Sequence, residues 1–426
     1  MIWLYRLLFP FLLLAASPYY LLRMRRRGGY GTHFSQRFGR LPALPGRRPG
    51  VRRVWLQAVS VGEMLAIEPL LRALAADGTE VVLTTTTSTG RRLAGERYAG
   101  LVSALAYFPI DWLPFSLRAW RRVDPDLAIV TEGERWPEHL RQARNRGVRV
   151  LCINARISDR SYQRLSLWPP AASFVLQGLS RLLASSAQDA DRFRALGVPA
   201  DRIAVTGNIK LDVDIPRLDE GARLALARAL GLPPGSPVLL GSSTWPGEEE
   251  ALLAALAAVR DRGLACSLLL VPRHAERRGE IERRLAASGR RFHLRSRGPA
   301  PGPVDVAVGD TTGELRLLTQ LADVVFVGKS LPPHTQGQTP VEAAALGKAI
   351  LLGPGMANFR DLAADLVERG AARIVASPAE LASAAAELLA DPAARAGMAA
   401  AAEVWRQFNR GGVAQTLEVI RAELVR

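Results

Sequence analysis

The sequence predicts an α/β protein of two Rossmann-like domains in tandem, preceded by a membrane-anchor helix. Three observations carry this. From about Arg53, short β-rich runs alternate with amphipathic helical runs. The alternation pauses in a polar, then Pro/Gly-rich stretch after Asp212 and restarts at Val238. The segment Met1 to Leu22 is mostly apolar and leads into a basic cluster, Arg23 to Arg27. A chain of 426 residues that is 48% hydrophobic is also too long for one compact core. The expected division is an anchor with basic flank over 1–27, one domain over 28–212 and a second over 213–426.

The first element, "MIWLYRLLFPFLLLAASPYYLL", has its larger basic cluster after the apolar run. A secretory signal puts positive charge first. By the positive-inside rule, the chain beyond the cluster stays cytoplasmic. Arg6 and Pro10 interrupt the run, so a helix lying in the interface competes with a span. Trp3, Tyr5, Tyr19 and Tyr20 suit the interfacial belt.

The strands of the first half are expected at "VWLQAV", "EVVLTT", "LAYFP", "LAIVTE", "VRVLCINA", "LLASSA" and "IAVTGN". Those of the second half are expected at "VLLGSS", "CSLLLVP", "VDVAVGD", "VVFVG", "AILLG" and "ARIVA", and the Ala-rich stretch Ala379 to Ala402 is helical by propensity. Such runs feed mainly parallel sheets covered on both faces. Ligands then bind beyond the carboxyl ends of the strands, which selects the loops as the place for chemistry.

Composition narrows the chemistry. Cys152 and Cys266 lie in apolar runs, which implies a reducing compartment and no disulfide framework. No paired histidine or cysteine spacing suggests a metal site. The net charge of +16 suits either an arginine-rich background or a phosphate-bearing partner. Without a nucleic-acid-binding signature, an anionic membrane or a phosphorylated substrate ranks above nucleic acid.

Among the loops, "SVGE" places Glu63 at a strand-to-helix turn. A glutamate there favours the helix dipole, and behind the flexible Gly62 it can also take a proton from a hydroxyl. Glu132 and Glu134 flank Gly133 before Trp136-Pro137. Lys210 follows another strand and can neutralise a carboxylate or phosphate. In the second half Arg273, in "VPRH", has the planar fork that grips phosphate. "GDTTGEL", with Thr312, Gly313 and Glu314, has the look of a helix N-terminus with free N–H groups. In "GQTPVEAAALG", Thr339 suits an N-cap, Pro340 the first helical position and Glu342 the first turn, where it can hold a ribose diol.

In their order these loops resemble one family, the membrane-associated 3-deoxy-D-manno-octulosonic acid (Kdo) transferases of glycosyltransferase family 30. "SVGE", "TEGERWPE", "NARISDRS", "GNIKLD", "GEEE", "VPRH", "GDTTGEL" and "GPGMANFRD" all answer to its motifs. The resemblance implies the GT-B architecture, two Rossmann-like domains facing across a cleft. It implies an inverting transfer of Kdo from CMP-Kdo to a lipid A precursor on the cytoplasmic face of the inner membrane, with no metal or other cofactor. It assigns Glu63 as general base, supported by Glu132 and Lys210. It assigns donor contacts to Pro272, Arg273, Thr312, Gly313, Glu314, Thr339, Pro340, Val341 and Glu342. Where the family has Gly-Gly-His-Asn-Pro-Leu-Glu-Pro this chain has Gln336 to Ala343, and a paired glycine becomes Gly328-Lys329. These departures leave open another CMP-activated 2-keto sugar acid as donor. A UDP-sugar transferase and an inactive lipid-binding GT-B protein are the competing functions.

Overall fold

A computed structural model describes residues 1–26 and 33–425. Arg27, at the end of the expected basic flank, lies outside the described residues, as do the side chains of Arg23, Arg25 and Arg26. The chain forms two compact units, Met1–Asp212 with Asn409–Arg426, and Val213–Phe408.

The first unit contains the strands β1 (Arg53–Gln57), β2 (Glu80–Thr85), β3 (Ala104–Tyr107), β4 (Leu127–Thr131), β5 (Arg149–Ala155), β6 (Arg181–Ala184) and β7 (Ile203–Val205). They pair in parallel in the order β3-β2-β1-β4-β5-β6-β7. Successive residues of a strand point to opposite faces, so Trp55 joins one core with Val82 and Trp120 while Val54 and Leu56 join another with Leu71 and Leu83. Burial on both faces is why these strands read as continuous apolar runs.

The second unit repeats the plan with β8 (Val238–Thr244), β9 (Ser267–Pro272), β10 (Phe292–Leu294), β11 (Val306–Val308), β12 (Val324–Val327), β13 (Ala349–Leu352) and β14 (Ala372–Ile374), ordered β10-β11-β9-β8-β12-β13-β14. The strand not anticipated is β10. It is a three-residue edge strand whose flanks, Arg290-Arg291 and Arg295, hide its apolar character.

One expectation is corrected. The second domain, expected to run to residue 426, ends earlier, because the helix Gly412–Val425 belongs to the first unit. Ile420 enters the first unit's core, Arg421 pairs with Asp77 at 2.7 Å, and the Asp212 carboxylate accepts from Val413 N at 2.8 Å. The break is marked by Gly411 at φ 93°. The Ala-rich stretch is helical as expected, in two helices, Pro378–Ala390 and Pro392–Phe408. Pro392 excludes its predecessor from the helical region, and Asp391 sits at ψ 94°.

The N-terminal helix, Ile2–Arg26, carries an apolar stretch, Ile2–Leu22, long enough to cross a membrane. Trp3, Leu4, Leu7, Leu8, Phe11 and Leu12 are exposed. The residue that interrupts this stretch, Arg6, ties the helix to the first unit. Its guanidinium forks onto the buried Glu138 at 2.7 and 3.0 Å. Next to it, Tyr5 donates to the buried Asp111 at 2.7 Å. Trp112 Nε1 donates to the Arg6 carbonyl at 3.3 Å.

Candidate active site

In a doubly wound sheet the crevice lies where successive crossovers depart in opposite directions. In the first sheet this is between β1 and β4, and in the second between β8 and β12. Most of the residues singled out from the sequence follow these strands or their neighbours.

In the first unit, Ser60 caps the helix Val61–Ala66 that follows β1, and Glu63 completes a capping box. Glu63 is only 7% exposed. It accepts from Val59 N at 3.0 Å, Ser60 N at 3.3 Å and Ser60 Oγ at 2.8 Å, and it takes a short hydrogen bond from Thr131 Oγ1 at the end of β4. The role at the helix start is therefore what the geometry displays. Two of the four donors are side-chain hydroxyls. Ser60 Oγ also accepts from Glu63 N at 3.2 Å, so the hydroxyl that a substrate can replace without orphaning a backbone group is that of Thr131.

After Thr131 the chain turns through Glu132 at φ 53°, a left-handed conformation that costs a non-glycine residue energy. The turn sets Glu132 beside Lys210, with which it forms a close ion pair, and Asn154 Nδ2 donates to Glu132 at 3.3 Å. Asn154 also accepts from Ile209 N at 3.2 Å, which fixes the segment carrying Lys210. Lys210 lies against the same helix start as Glu63, because a Cβ built on Gly62 would stand 3.9 Å from its Nζ.

Glu134 completes the group. Its carboxylate accepts from Trp136 Nε1 at 2.6 Å. Burial, with the Glu63 and Glu132 carboxylates nearby, pushes its pKa up to about 7. Glu63, Glu132 and Lys210 thus come together, and sequence reasoning passed over Thr131. A threonine closing an apolar strand carries no signal until the pairing of β1 with β4 sets it opposite Glu63.

In the second unit the residues expected to contact a donor lie at or beyond the carboxyl ends of strands. Pro272 closes β9 and Arg273 follows it. Arg273 is exposed and, unlike Arg277, which pairs with Glu249, has no carboxylate partner among the described residues. Thr312 and Gly313 are exposed beyond β11. Glu314 is committed to Arg295 at 3.2 Å and to Thr311, which hold its carboxyl below the usual range. The helix expected there is four residues, Leu315–Leu318, so it offers little dipole to an anion.

The helix after Thr339 is also short, Val341–Ala345, and its cap position is Pro340 rather than Thr339. Thr339 Oγ1 nonetheless accepts from Val341 N at 3.2 Å. Glu342 lies 3.6 Å from Arg316 through Oε1, while its Oε2 is buried and has no hydrogen-bond partner among the described residues.

Sequence reasoning missed the residue that organises this edge. Glu248 is 1% exposed and accepts from four backbone groups: Trp245 N at 2.9 Å, Lys329 N at 2.8 Å, Ser330 N at 2.9 Å and Leu331 N at 3.2 Å. It ties the loop after β8 to the loop after β12. "GEEE" named the motif but not that Glu248 and Glu249 both turn inward, nor that Glu248 is the one that holds the two loops. Among the described residues no group of three or more His, Cys, Asp or Glu side chains is placed to hold a metal ion.

Comparison with known proteins places these sites in context. The family model for 3-deoxy-D-manno-octulosonic-acid transferase (kdotransferase) matches residues 32–213. The 3-deoxy-D-manno-octulosonic acid transferase of Bordetella pertussis is 36% identical over 93% of this chain and 94% of that protein. Its counterpart in Haemophilus influenzae is 30% identical over 97% and 94%. Among solved structures, a glycosyltransferase from Rickettsia africae covers 88% of this chain and 99% of its own with a TM-score of 0.56 at 12% identity, a likeness of fold alone.

Proposed function

The chain belongs to the 3-deoxy-D-manno-octulosonic acid transferase family, and from that premise we propose that it moves Kdo from CMP-Kdo to a phosphorylated lipid A precursor at the cytoplasmic face of the inner membrane. It is a glycosyltransferase of the GT-B class, acting in lipopolysaccharide biosynthesis. The observation that carries the donor half is the pair of unsatisfied groups at the second sheet's edge. Arg273 is a cation without a carboxylate, and Glu342 Oε2 is a buried acceptor without a donor among the described residues. A nucleoside monophosphate supplies both complements, a phosphate for the arginine and a ribose diol for the glutamate.

The reaction joins the acceptor hydroxyl oxygen to the anomeric carbon of Kdo. The bond from that carbon to the CMP phosphate oxygen breaks, and CMP leaves with the electron pair. The hydroxyl proton passes to Glu63, which takes the acceptor in place of the Thr131 hydroxyl. Lys210 and Glu132 balance the charge beside it. Direct displacement inverts the anomeric centre. A second assignment, Glu134 as the base, is favoured by its pKa of about 7, a value suited to proton transfer near neutrality.

Incubating the full-length protein with CMP-Kdo and a tetraacylated lipid A precursor should yield a product heavier by whole Kdo residues, read by mass spectrometry. CMP, and not UDP, should raise the melting temperature. No product, or protection by UDP alone, overturns the function.

The lipid acceptor is consistent with the N-terminal helix and with a cavity of about 380 Å³ beside it, whose lining includes Met1, Ile2, Leu140, Phe174, Arg141 and Arg144. Because Tyr5 and Arg6 are bonded to the first unit, the helix is proposed to lie in the interface with its exposed apolar face in the lipid. Replacing Leu7 and Phe11 by glutamate should move the protein to the soluble fraction while leaving the Arg6–Glu138 pair intact. Continued sedimentation with membranes would place the attachment elsewhere.

A further inference from the structure

We propose that Lys329 reads the carboxylate of the donor sugar. This rests on the donor being a CMP-activated sugar acid. Lys329 follows β12 and Trp245 follows β8, so the two flank the crevice of the second sheet. The Lys329 ammonium stands 4.1 Å from the centre of the Trp245 ring, and His274 and His334 rings lie 5.2 and 5.9 Å from the same ring. No carboxylate pairs with this half-buried ammonium among the described residues. The Trp245 Nε1–H is buried and also without a partner among them.

The backbone beneath Lys329 is held hard. Glu248 accepts from its N–H at 2.8 Å, and the preceding Gly328 is packed so that a Cβ there would come within 2.5 Å of the Ser243 carbonyl. Lys329 itself has φ 57°, a conformation natural to glycine and unfavourable to lysine. A strained residue presenting an unpaired cation at a binding edge points to a ligand that compensates it.

A CMP-activated sugar acid brings one anionic phosphate and one carboxylate, and Arg273 and Lys329 at this edge are both cations without carboxylate partners among the described residues. The indole face holds the ammonium in place and leaves its N–H groups available to the ligand.

The test compares donor and bare nucleotide on the full-length protein. Lys329→Met and Lys329→Gly should raise the KM for CMP-Kdo by about 10- to 100-fold, the range of a lost charge-assisted hydrogen bond. The Kd for CMP should stay within about twofold, because CMP has no carboxylate, while Lys329→Arg should recover part of the loss. Lys329→Gly suits the left-handed backbone, so its melting temperature should hold. An unchanged KM in both variants overturns the proposal, as does an equal loss of CMP affinity, which would make Lys329 a phosphate ligand. A wild-type protein that binds CMP but cannot use CMP-Kdo overturns the donor assignment and this proposal with it. A wild-type protein that uses CMP-Kdo beside an unaffected Lys329→Met overturns this proposal alone.

Discussion

Replacing Glu63 by glutamine is expected to reduce transfer roughly a hundred- to ten-thousandfold, the usual range for losing a general base. The attacking group is an alcohol, which needs its proton removed as the new bond forms. The carboxylate supplies four acceptor positions, now filled by two backbone N–H groups and two hydroxyls. Glutamine keeps the size and one acceptor oxygen, so the cap is weakened by about 1 kcal/mol rather than lost. CMP affinity should not change, because the residues proposed to bind the nucleotide lie in the other unit. Retained turnover would remove Glu63 from the chemistry and leave it as the helix cap it displays. Glu134→Gln decides between the two carboxylates. If Glu134 is the base, that variant carries the large loss and wild-type activity rises as pH passes upward through about 7.

Glu248→Ala is expected to be the most damaging change in the second unit. It removes the only side chain seen to accept from Trp245 N, Lys329 N, Ser330 N and Leu331 N among the described residues. A buried N–H left without an acceptor costs about 1–3 kcal/mol. Part of that returns as water enters, so a net loss on the order of 3–5 kcal/mol is expected. For a unit of this size that lowers its melting transition by roughly 10 °C. Donor binding should fall as well, since the loops carrying Trp245 and Lys329 lose their common tether. Glu248→Gln should fall between, with an amide group facing some of the same N–H donors. A melting transition for Glu248→Ala within about 2 °C of wild type would show the loops to be held by other contacts.

Much of the fold was legible because its signals are local. Buried parallel strands are unbroken apolar runs, and all but β10 are where those runs predict them. The break after Asp212 shows as a polar and then Pro/Gly-rich stretch, which includes the helix Glu220–Ala229. Lys210 and Glu132 stand out by their places after strands, and the structure pairs them. The misplaced domain end has a tertiary cause. Helix Gly412–Val425 has the same local character wherever it packs, and only Ile420 and Arg421 meeting their partners assigns it to the first unit.

Sequence alone determined the alternation of strands and helices, the apolar N-terminal segment and the loops that hold the chemistry, because propensity and periodicity act between near neighbours. Tertiary structure alone decided which acid is buried and which is free. Glu63 meets Thr131 across 68 residues and Glu248 meets Lys329 across 81, and the ammonium of Lys329 finds Trp245 through the pairing of β8 with β12. Those contacts depend on strand order, and strand order is set by how the whole sheet buries its faces rather than by any short stretch of chain.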